Sequence, residues 1–195
     1  MNVSDNTLAS PATLAELFVH VGRSARGEEG GPARLTAAQW TALRFFARAN
    51  RASRTPSSFA SFQATTRGTA SQTIKTLEAR GLLERHRSES DGRSVRFEVT
   101  ENGRRALAGD PLRHLIAAIA ALAPGDRAAL ERVLPELVAR LAGQRGEPGI
   151  GTCDSCSHYE AHDTGGYCAC VAMSLAPFEI GQLCTRHSPR ATAGE

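Results

Sequence analysis

The sequence lacks any apolar run that approaches the ~20 residues a transmembrane helix needs. Residues 1–10 are polar and have no basic-then-apolar pattern, so they do not indicate a secretory signal. We therefore expect a cytoplasmic protein, a compartment in which thiols stay reduced.

The sequence also lacks the residue sets that indicate catalysis. It has no Ser/His/Asp arrangement, no paired-carboxylate motif and no phosphate-binding loop. We therefore expect that the protein is not an enzyme. Lysine is also nearly absent: of the 23 Lys and Arg residues, 22 are arginine and one is Lys75.

A net charge of +3 hides an uneven distribution along the chain. Residues 44–105 hold 13 Arg or Lys against 6 Asp or Glu, whereas residues 146–195 hold 2 against 6. A basic middle segment is typical of a protein that binds a polyanion such as DNA. Charge alone does not distinguish a segment that binds a polyanion from an arginine-rich surface that simply faces solvent.

Apolar residues before position 143 recur mainly at helical spacing. A Ser10-Pro11 start precedes a stripe at Leu14, Leu17, Phe18 and Val21. Further helices are predicted over about 37–50, from Thr55-Pro56, over 69–80, after Thr100, and along 112–119 and 130–141. Two short strands, at 82–85 and 95–99, flank a hairpin tip at Ser90-Asp91-Gly92-Arg93.

A helix-turn-helix followed by a hairpin predicts a winged helix. The second helix of such a unit presents side chains to base edges in the major groove, and the hairpin tip reaches the backbone or minor groove. We therefore expect a mainly α fold that contains a winged helix-turn-helix with a small β wing.

Two stretches resemble the MarR family of bacterial winged-helix regulators. Residues 66–85 (TRGTASQTIKTLEARGLLER) resemble its recognition helix and first wing strand. Residues 91–103 (DGRSVRFEVTENG) resemble its Asp-x-Arg wing and Leu-Thr-x-x-Gly junction, with Val99 where Leu is usual. The resemblance covers about residues 10–142.

This resemblance implies a homodimer on a pseudo-palindromic operator in double-stranded DNA. The stripes at 14–21, 112–119 and 130–141 would pack across the two-fold axis. The alternative is that they cover the core of one monomer.

The polar positions of the recognition helix are the expected DNA contacts. We expect base contacts from Thr69, Ser71, Gln72 and Lys75. Arg67 is expected to meet phosphate at the helix N-terminus, and Arg93 to be the wing contact. Asp91 is expected to shape the wing tip. Ordinary solvation is the alternative for each polar residue of the helix.

All five cysteines lie between residues 153 and 184. Their order is Cys153-x2-Cys156-x11-Cys168-x15-Cys184, with Cys170 as the fifth. Five is an odd number and thiols stay reduced in the cytoplasm, so the cluster favours a metal centre over disulfides. Four thiolates on one centre would also hold together a segment too short to build its own core.

One Cys-x2-Cys knuckle with two separated cysteines resembles high-potential iron–sulfur proteins and the small cluster-binding subunits of glycyl-radical enzymes. This resemblance implies a [4Fe-4S] cluster on Cys153, Cys156, Cys168 and Cys184. Cys168 is preferred to Cys170 because it follows the Gly165-Gly166 turn. Zinc is the alternative, with His187 as a candidate ligand.

The cluster is expected to have an apolar surround, and the histidines of this segment are expected to be solvated. The expected shield is Tyr159, Tyr167, Leu175, Phe178 and Ile180. The histidines are His158, His162 and His187.

We expect three segments: a winged-helix and dimerisation domain at 1–142, a linker at 143–151 and a cysteine-rich module at 152–195. The leading hypothesis is a DNA-binding repressor whose cluster senses redox or iron state. One alternative is the same regulator with a structural zinc site and a small-molecule signal. Another is an electron-transfer or scaffold protein that does not bind DNA.

Overall fold

We describe a computed structural model of the protein over residues 9–25, 34–87, 95–147 and 149–190. None of the helices in these ranges is both long and apolar enough to cross a membrane. The elements of the first 147 residues are, in order, α1 (Pro11–Ser24), α2 (Ala37–Arg48), a 3₁₀ turn (Arg51–Ser53), α3 (Pro56–Phe62), α4 (Arg67–Ala79), β1 (Leu83–Arg87), β2 (Val95–Val99), α5 (Glu101–Leu107), α6 (Arg113–Ala120) and α7 (Pro124–Arg145).

The C-terminal segment has secondary structure of its own, which the sequence reading did not predict. Its elements are β3 (Gly149–Gly151), a 3₁₀ turn (Cys153–Ser155), β4 (Tyr159–His162), β5 (Gly165–Cys168), β6 (Met173–Leu175), α8 (Pro177–Ile180) and β7 (Cys184–His187). Strands β4, β5 and β6 form an antiparallel sheet, and β3 pairs with β7. We call residues 149–190 the cysteine module.

Hydroxyl side chains mark where five helices begin. In each case the hydroxyl accepts a hydrogen bond from the backbone N–H three residues on, and loss of such a cap costs about 1 kcal/mol. The caps are Ser10, Thr36, Thr55, Thr66 and Thr100. The predicted starts at Ser10, Thr36, Thr55 and Thr100 are confirmed, whereas α4 begins two residues earlier than predicted because Thr66 caps it.

An aromatic cluster joins α2 to α3 and to the wing. The rings of Phe45 and Phe59 lie 5.5 Å apart, and Phe97 of β2 lies 5.9 Å from Phe46. Trp40 is also buried in this core. The same core buries one face of α4, so the helix-turn-helix and the wing form a single packed unit.

Helices α1, α6 and α7 bury no residue within the single chain. Leu17 is 53% exposed, Ile116 52% and Leu141 46%. These stripes therefore cover no core within one chain, so the prediction that they cover the core of a monomer is wrong.

The stretch predicted to be a linker is largely ordered. Helix α7 runs to Arg145 and ends at Gly146, whose φ of 62° is the left-handed conformation that glycine tolerates best. Strand β3 then begins at Gly149. The predicted linker at 143–151 thus lies mostly within α7 and β3.

Candidate nucleic-acid interface and cysteine centre

Helix α4, the predicted recognition helix, has a buried face and an exposed face. Ala70, Ile74 and Leu77 are buried, and the helix packs on α2 and α3. The predicted base and phosphate contacts point away from this core. Arg67, Thr69, Gln72 and Lys75 are exposed, and Ser71 is half-buried.

Thr66 fixes the N-terminus of α4. Its hydroxyl accepts the backbone N–H of Thr69 at 3.2 Å and lies 2.9 Å from the Thr69 hydroxyl. Arg67 is the first residue of the helix, beside backbone N–H groups that favour an anion. A base contact from Thr69 would have to share its hydroxyl with Thr66.

The wing strands pair in one regular antiparallel register, from Leu83 opposite Val99 to Arg87 opposite Val95. Arg85 and Arg87 are exposed on β1 as it approaches the tip. The sequence reading missed these two cations, although their alternation in a strand that leads to the tip was a usable signal. Both predictions for the tip, Arg93 and Asp91, lie outside the described residues.

The Thr100-x-x-Gly103 junction holds the wing against the end of α4. The Thr100 hydroxyl donates to the carbonyl of Gly81 at 2.6 Å and accepts the N–H of Gly103 at 3.0 Å. A Cβ at position 103 would lie 2.3 Å from the carbonyl oxygen of Leu82, so only glycine fits. Val99, in place of the usual Leu, is buried.

The cysteines differ in burial. Cys153, Cys156 and Cys184 are buried, Cys168 is half-buried and Cys170 is exposed. The N–H of Cys156 donates to the carbonyl of Cys153 at 3.0 Å and closes the knuckle. Because Cys153 and Cys156 flank one 3₁₀ turn, β5 carries Cys168 and β7 begins at Cys184, the four predicted ligands come from three parts of the module.

The electrostatics of Cys153 show which thiols lie near it. Burial, followed by the nearby thiols of Cys184, Cys168 and Cys156, raises the pKa of Cys153 to about 11. A hydrogen bond from the Asn50 side chain acts in the opposite direction. A bound cation or cluster would offset the repulsion among thiolates, and its binding would release thiol protons. The structure therefore brings the four predicted ligands together, and Cys170 is not among the neighbours of Cys153.

The thiols are not gathered as closely as ligands of a single ion. No three cysteine sulfurs in the described chain lie within 4.8 Å of one another. Thiolates on a tetrahedral zinc ion with Zn–S bonds of about 2.3 Å would lie about 3.8 Å apart.

Two of the thiols have a hydrogen-bonding group beside them. The backbone N–H of Arg186 donates to Cys184 Sγ at 3.4 Å, and His158 Nδ1 lies 3.7 Å from Cys156 Sγ. Such outer contacts orient and tune metal ligands.

The expectation of solvated histidines holds for His162, which is exposed, and is wrong for His158 and His187, which are half-buried. His187 Nε2 hydrogen-bonds the Ser155 hydroxyl at 3.1 Å. That nitrogen therefore already has a partner other than a metal.

The expected apolar surround is partly present. Leu175 is buried, and Tyr159, Tyr167 and Ile180 are half-buried. Phe178 is 72% exposed, so its predicted role as a shield is wrong. The reason is that the neighbouring Glu179 takes the inward position on α8, where it accepts the N–H of Ala176 at 3.0 Å.

Comparisons with known proteins agree with this geometry. The model of the MarR family matches residues 35–94, from just before α2 to the wing tip. The fold is a MarR-like winged helix. A search of curated protein sequences finds no significant match.

Three solved structures are similar to this MarR-like chain. The transcriptional repressor CouR, solved bound to a 23-mer DNA duplex, is 26% identical; 70% of this chain covers 99% of that chain, with a TM-score of 0.52. The transcriptional regulator SlyA is 18% identical (67% and 95% covered, TM-score 0.55). A MarR regulator from Methanosarcina mazei Go1 is 19% identical (68% and 95% covered, TM-score 0.51). About a third of this chain therefore has no counterpart in these proteins.

Proposed function

We propose that the protein is a DNA-binding transcriptional repressor. The observation that carries this proposal is the exposed polar face of α4, held on a packed core beside a wing with exposed arginines. Nearly the whole CouR chain aligns with this protein, and CouR is bound to a DNA duplex in its solved structure. In this function Thr69, Ser71, Gln72 and Lys75 read bases, Arg67 meets phosphate and Arg93 is the wing contact.

The repressor acts as a homodimer on a pseudo-palindromic operator. The support is the exposed apolar residues of α1, α6 and α7, which one chain leaves without a partner. Contiguous exposed apolar surface is typical of an interface. A two-fold axis through these helices would present two copies of α4 to successive half-sites.

DNA binding is tested with duplexes selected by the purified protein from a random-sequence pool. We expect tight binding whose affinity falls steeply with salt, because the interface releases counterions from phosphate. Absence of selected sequences and of salt-dependent binding would reject the regulator and favour a scaffold or electron-transfer protein.

The second part of the proposal is that Cys153, Cys156, Cys168 and Cys184 hold a [4Fe-4S] cluster through which the repressor senses redox or iron state. The support for this proposal is the donor set, one Cys-x2-Cys knuckle with two separated cysteines, together with the location of Cys184, Cys168 and Cys156 near Cys153. When bound, such a cluster supplies a redox centre whose loss or oxidation changes the charge and order of the module. The chain itself contributes the N–H of Arg186, which donates to Cys184 Sγ, and the partial apolar cover of Leu175.

Anaerobic purification with iron, zinc and sulfide analysis tests the cofactor. We expect a brown protein with iron and sulfide and a broad absorption band that bleaches on oxidation. A colourless protein with one zinc per chain would exclude the cluster.

A cavity supports a second candidate, the same repressor with a structural zinc site and a small-molecule signal. It has a volume of about 270 Å³ and lies between α2, α5 and α6, with Arg44, Arg48 and Arg113 in its lining. Zinc content, together with a change in DNA affinity on adding small organic acids, would favour this candidate.

A further inference from the structure

The cysteine module is docked on the connection between α2 and α3, residues 48–55. The N–H of Leu183 donates to the carbonyl of Arg48 at 2.9 Å, and the N–H of Asn50 donates to the carbonyl of Leu183 at 2.9 Å. These bonds form a parallel bridge between Ala49 and Leu183, one residue before β7 begins. The side chain of Leu183 also packs against the core of the winged helix. The module and the winged helix therefore share main-chain hydrogen bonds and an apolar contact.

Ser53 extends this docking to β7. Ser53 is 1% exposed, and its hydroxyl accepts the N–H of Thr185, which is also buried, at 3.2 Å. The N–H of Ser53 donates to Asn50 Oδ1 at 2.9 Å, which closes the 3₁₀ turn. Loss of the Ser53 hydroxyl would take the acceptor from a buried backbone N–H, and buried polar groups in proteins are nearly always paired.

The residues that follow Ser53 hold the DNA-binding elements. The carbonyl of Ser53 accepts the N–H of Thr55 at 2.7 Å, and Thr55 caps α3. Between them, the carbonyl of Arg54 accepts the N–H of Phe97 on β2 at 2.9 Å. Helix α3 packs on α4 and also contacts β7. One short segment is therefore bonded to the module on one side and to the wing and the helix that braces α4 on the other.

We propose that Ser53 is a positioning residue for DNA recognition, through which β7 of the cysteine module holds α3 and α4 in the arrangement that reads bases. This inference rests on the proposed DNA binding and not on the identity of the metal centre. Base readout needs donor–acceptor distances of about 2.7–3.2 Å, so a shift of α4 by about 1 Å breaks base contacts while the attraction to phosphate persists. The docked module thereby sets selectivity between DNA sequences rather than DNA affinity in general.

The first pair of variants, in the full-length protein, concerns Ser53. Ser53→Ala removes the hydroxyl that accepts the N–H of Thr185. Its control is Ser58→Ala, which removes another buried hydroxyl close by in the sequence. That change keeps the cap of α3, because the bond to the Thr55 hydroxyl comes from the backbone N–H of residue 58.

The second pair concerns the module side of the contact and decides the inference if Ser53→Ala does not fold. Leu183→Ala removes the side chain that packs on the core of the winged helix and changes no charge. Phe178→Ala is its control, because it removes an apolar side chain of the module that is 72% exposed.

Fluorescence anisotropy measures affinity for the selected duplex and for a random duplex of the same length. The ratio of the two dissociation constants is the selectivity. We expect Ser53→Ala and Leu183→Ala to lower the selectivity at least about fivefold, through weaker binding to the selected duplex. Ser58→Ala and Phe178→Ala should keep it within about twofold of the wild type.

The selectivity separates positioning from a merely structural role. Partial unfolding leaves fewer active molecules, which lowers apparent affinity for both duplexes equally and does not change their ratio. Hydrogen exchange locates the change, because peptides covering 48–58 and 181–187 should exchange faster in Ser53→Ala and Leu183→Ala than in the wild type. Wild-type selectivity in both of these variants, or equal losses on both duplexes, overturns the inference.

The wild type reports separately on the proposed function. A wild type that does not prefer the selected duplex to random DNA overturns the proposed function and this inference with it. A wild type that selects DNA, while Ser53→Ala and Leu183→Ala retain its selectivity, overturns the inference alone and leaves the regulator in place.

Discussion

Single hydroxyl groups decide where the helices of this protein begin. Thr66 and Thr100 each accept a hydrogen bond from the N–H three residues later, as do Ser10, Thr36 and Thr55. A cap depends on residues within one turn, so the sequence alone could predict four of the five starts. Because the fifth cap, Thr66, was missed, the predicted start of α4 lies two residues late.

Gln72 is expected to discriminate between operator sequences. It is exposed on α4, and a bidentate amide–adenine contact is worth about 1–3 kcal/mol. Gln72→Ala should lower affinity for the selected duplex by that amount and leave non-specific binding unchanged, as measured by fluorescence anisotropy. Gln144→Ala, exposed on α7, is the matched control. Equal losses on specific and random DNA would contradict a base contact.

Cys153 and Cys170 are expected to respond oppositely to the same substitution. Cys153 is buried beside three other thiols and Cys170 is exposed. Cys153→Ser should abolish stable cluster binding, whereas Cys170→Ser should keep the iron and sulfide content of the wild type, as measured after anaerobic reconstitution. Loss of the cluster in Cys170→Ser would show that the ligand set is wrong.

At the scale of elements, α4 and the wing follow from local pattern and the cysteine module does not. The alternation of Val95, Phe97 and Val99 predicts β2, and its register with β1 follows from the burial of one face. Strand β3 is a Gly-Ile-Gly stretch, and it becomes a strand only because β7 lies beside it. Strands of three or four residues are too short to show the alternation of apolar and polar residues that predicts a strand.

The dimer is expected to depend on the inner stripe of α1. Leu17 belongs to this stripe, whereas Val19 is similarly exposed on the opposite side of the helix. Leu17→Glu should convert the dimer to monomer and weaken operator binding by at least about tenfold, because a charge in an apolar interface costs more than 1.4 kcal/mol. Light scattering after size-exclusion chromatography measures the mass.

Val19→Glu is the control for that change. It should leave the protein dimeric at the same concentration. Monomers from both variants would indicate unfolding of α1 rather than an interface.

At the scale of the whole molecule, the acidic module and the basic winged helix are joined at the α2–α3 connection. The carbonyl of Leu183 and the N–H of Thr185 both bond to residues that precede them by more than 130 positions. Contacts over such separations are set by the fit of two folded surfaces. No periodicity in either segment could have indicated them.

Metal removal is therefore expected to destabilise the winged helix as well as the module. Trp40 is the single tryptophan and is buried in α2, so its fluorescence reports on that core. A metal present at 100 times its dissociation constant stabilises the folded state by about 2.7 kcal/mol. Chelation should lower the Trp40 melting midpoint by roughly 5–10 °C. An unchanged Trp40 transition alongside loss of the metal would mean that the module unfolds by itself.

Four of the five capped helix starts, the order of the winged helix and the presence of a thiolate-rich segment can be predicted from the amino-acid sequence, because these features depend on neighbours within one turn, one hairpin or one short stretch of chain. The exposure of Cys170 and of Phe178, by contrast, is visible only once the chain is folded. The same holds for the contact of the module with the α2–α3 connection at residues 48–55. These features depend on which surfaces meet, and the packing of distant segments brings them together.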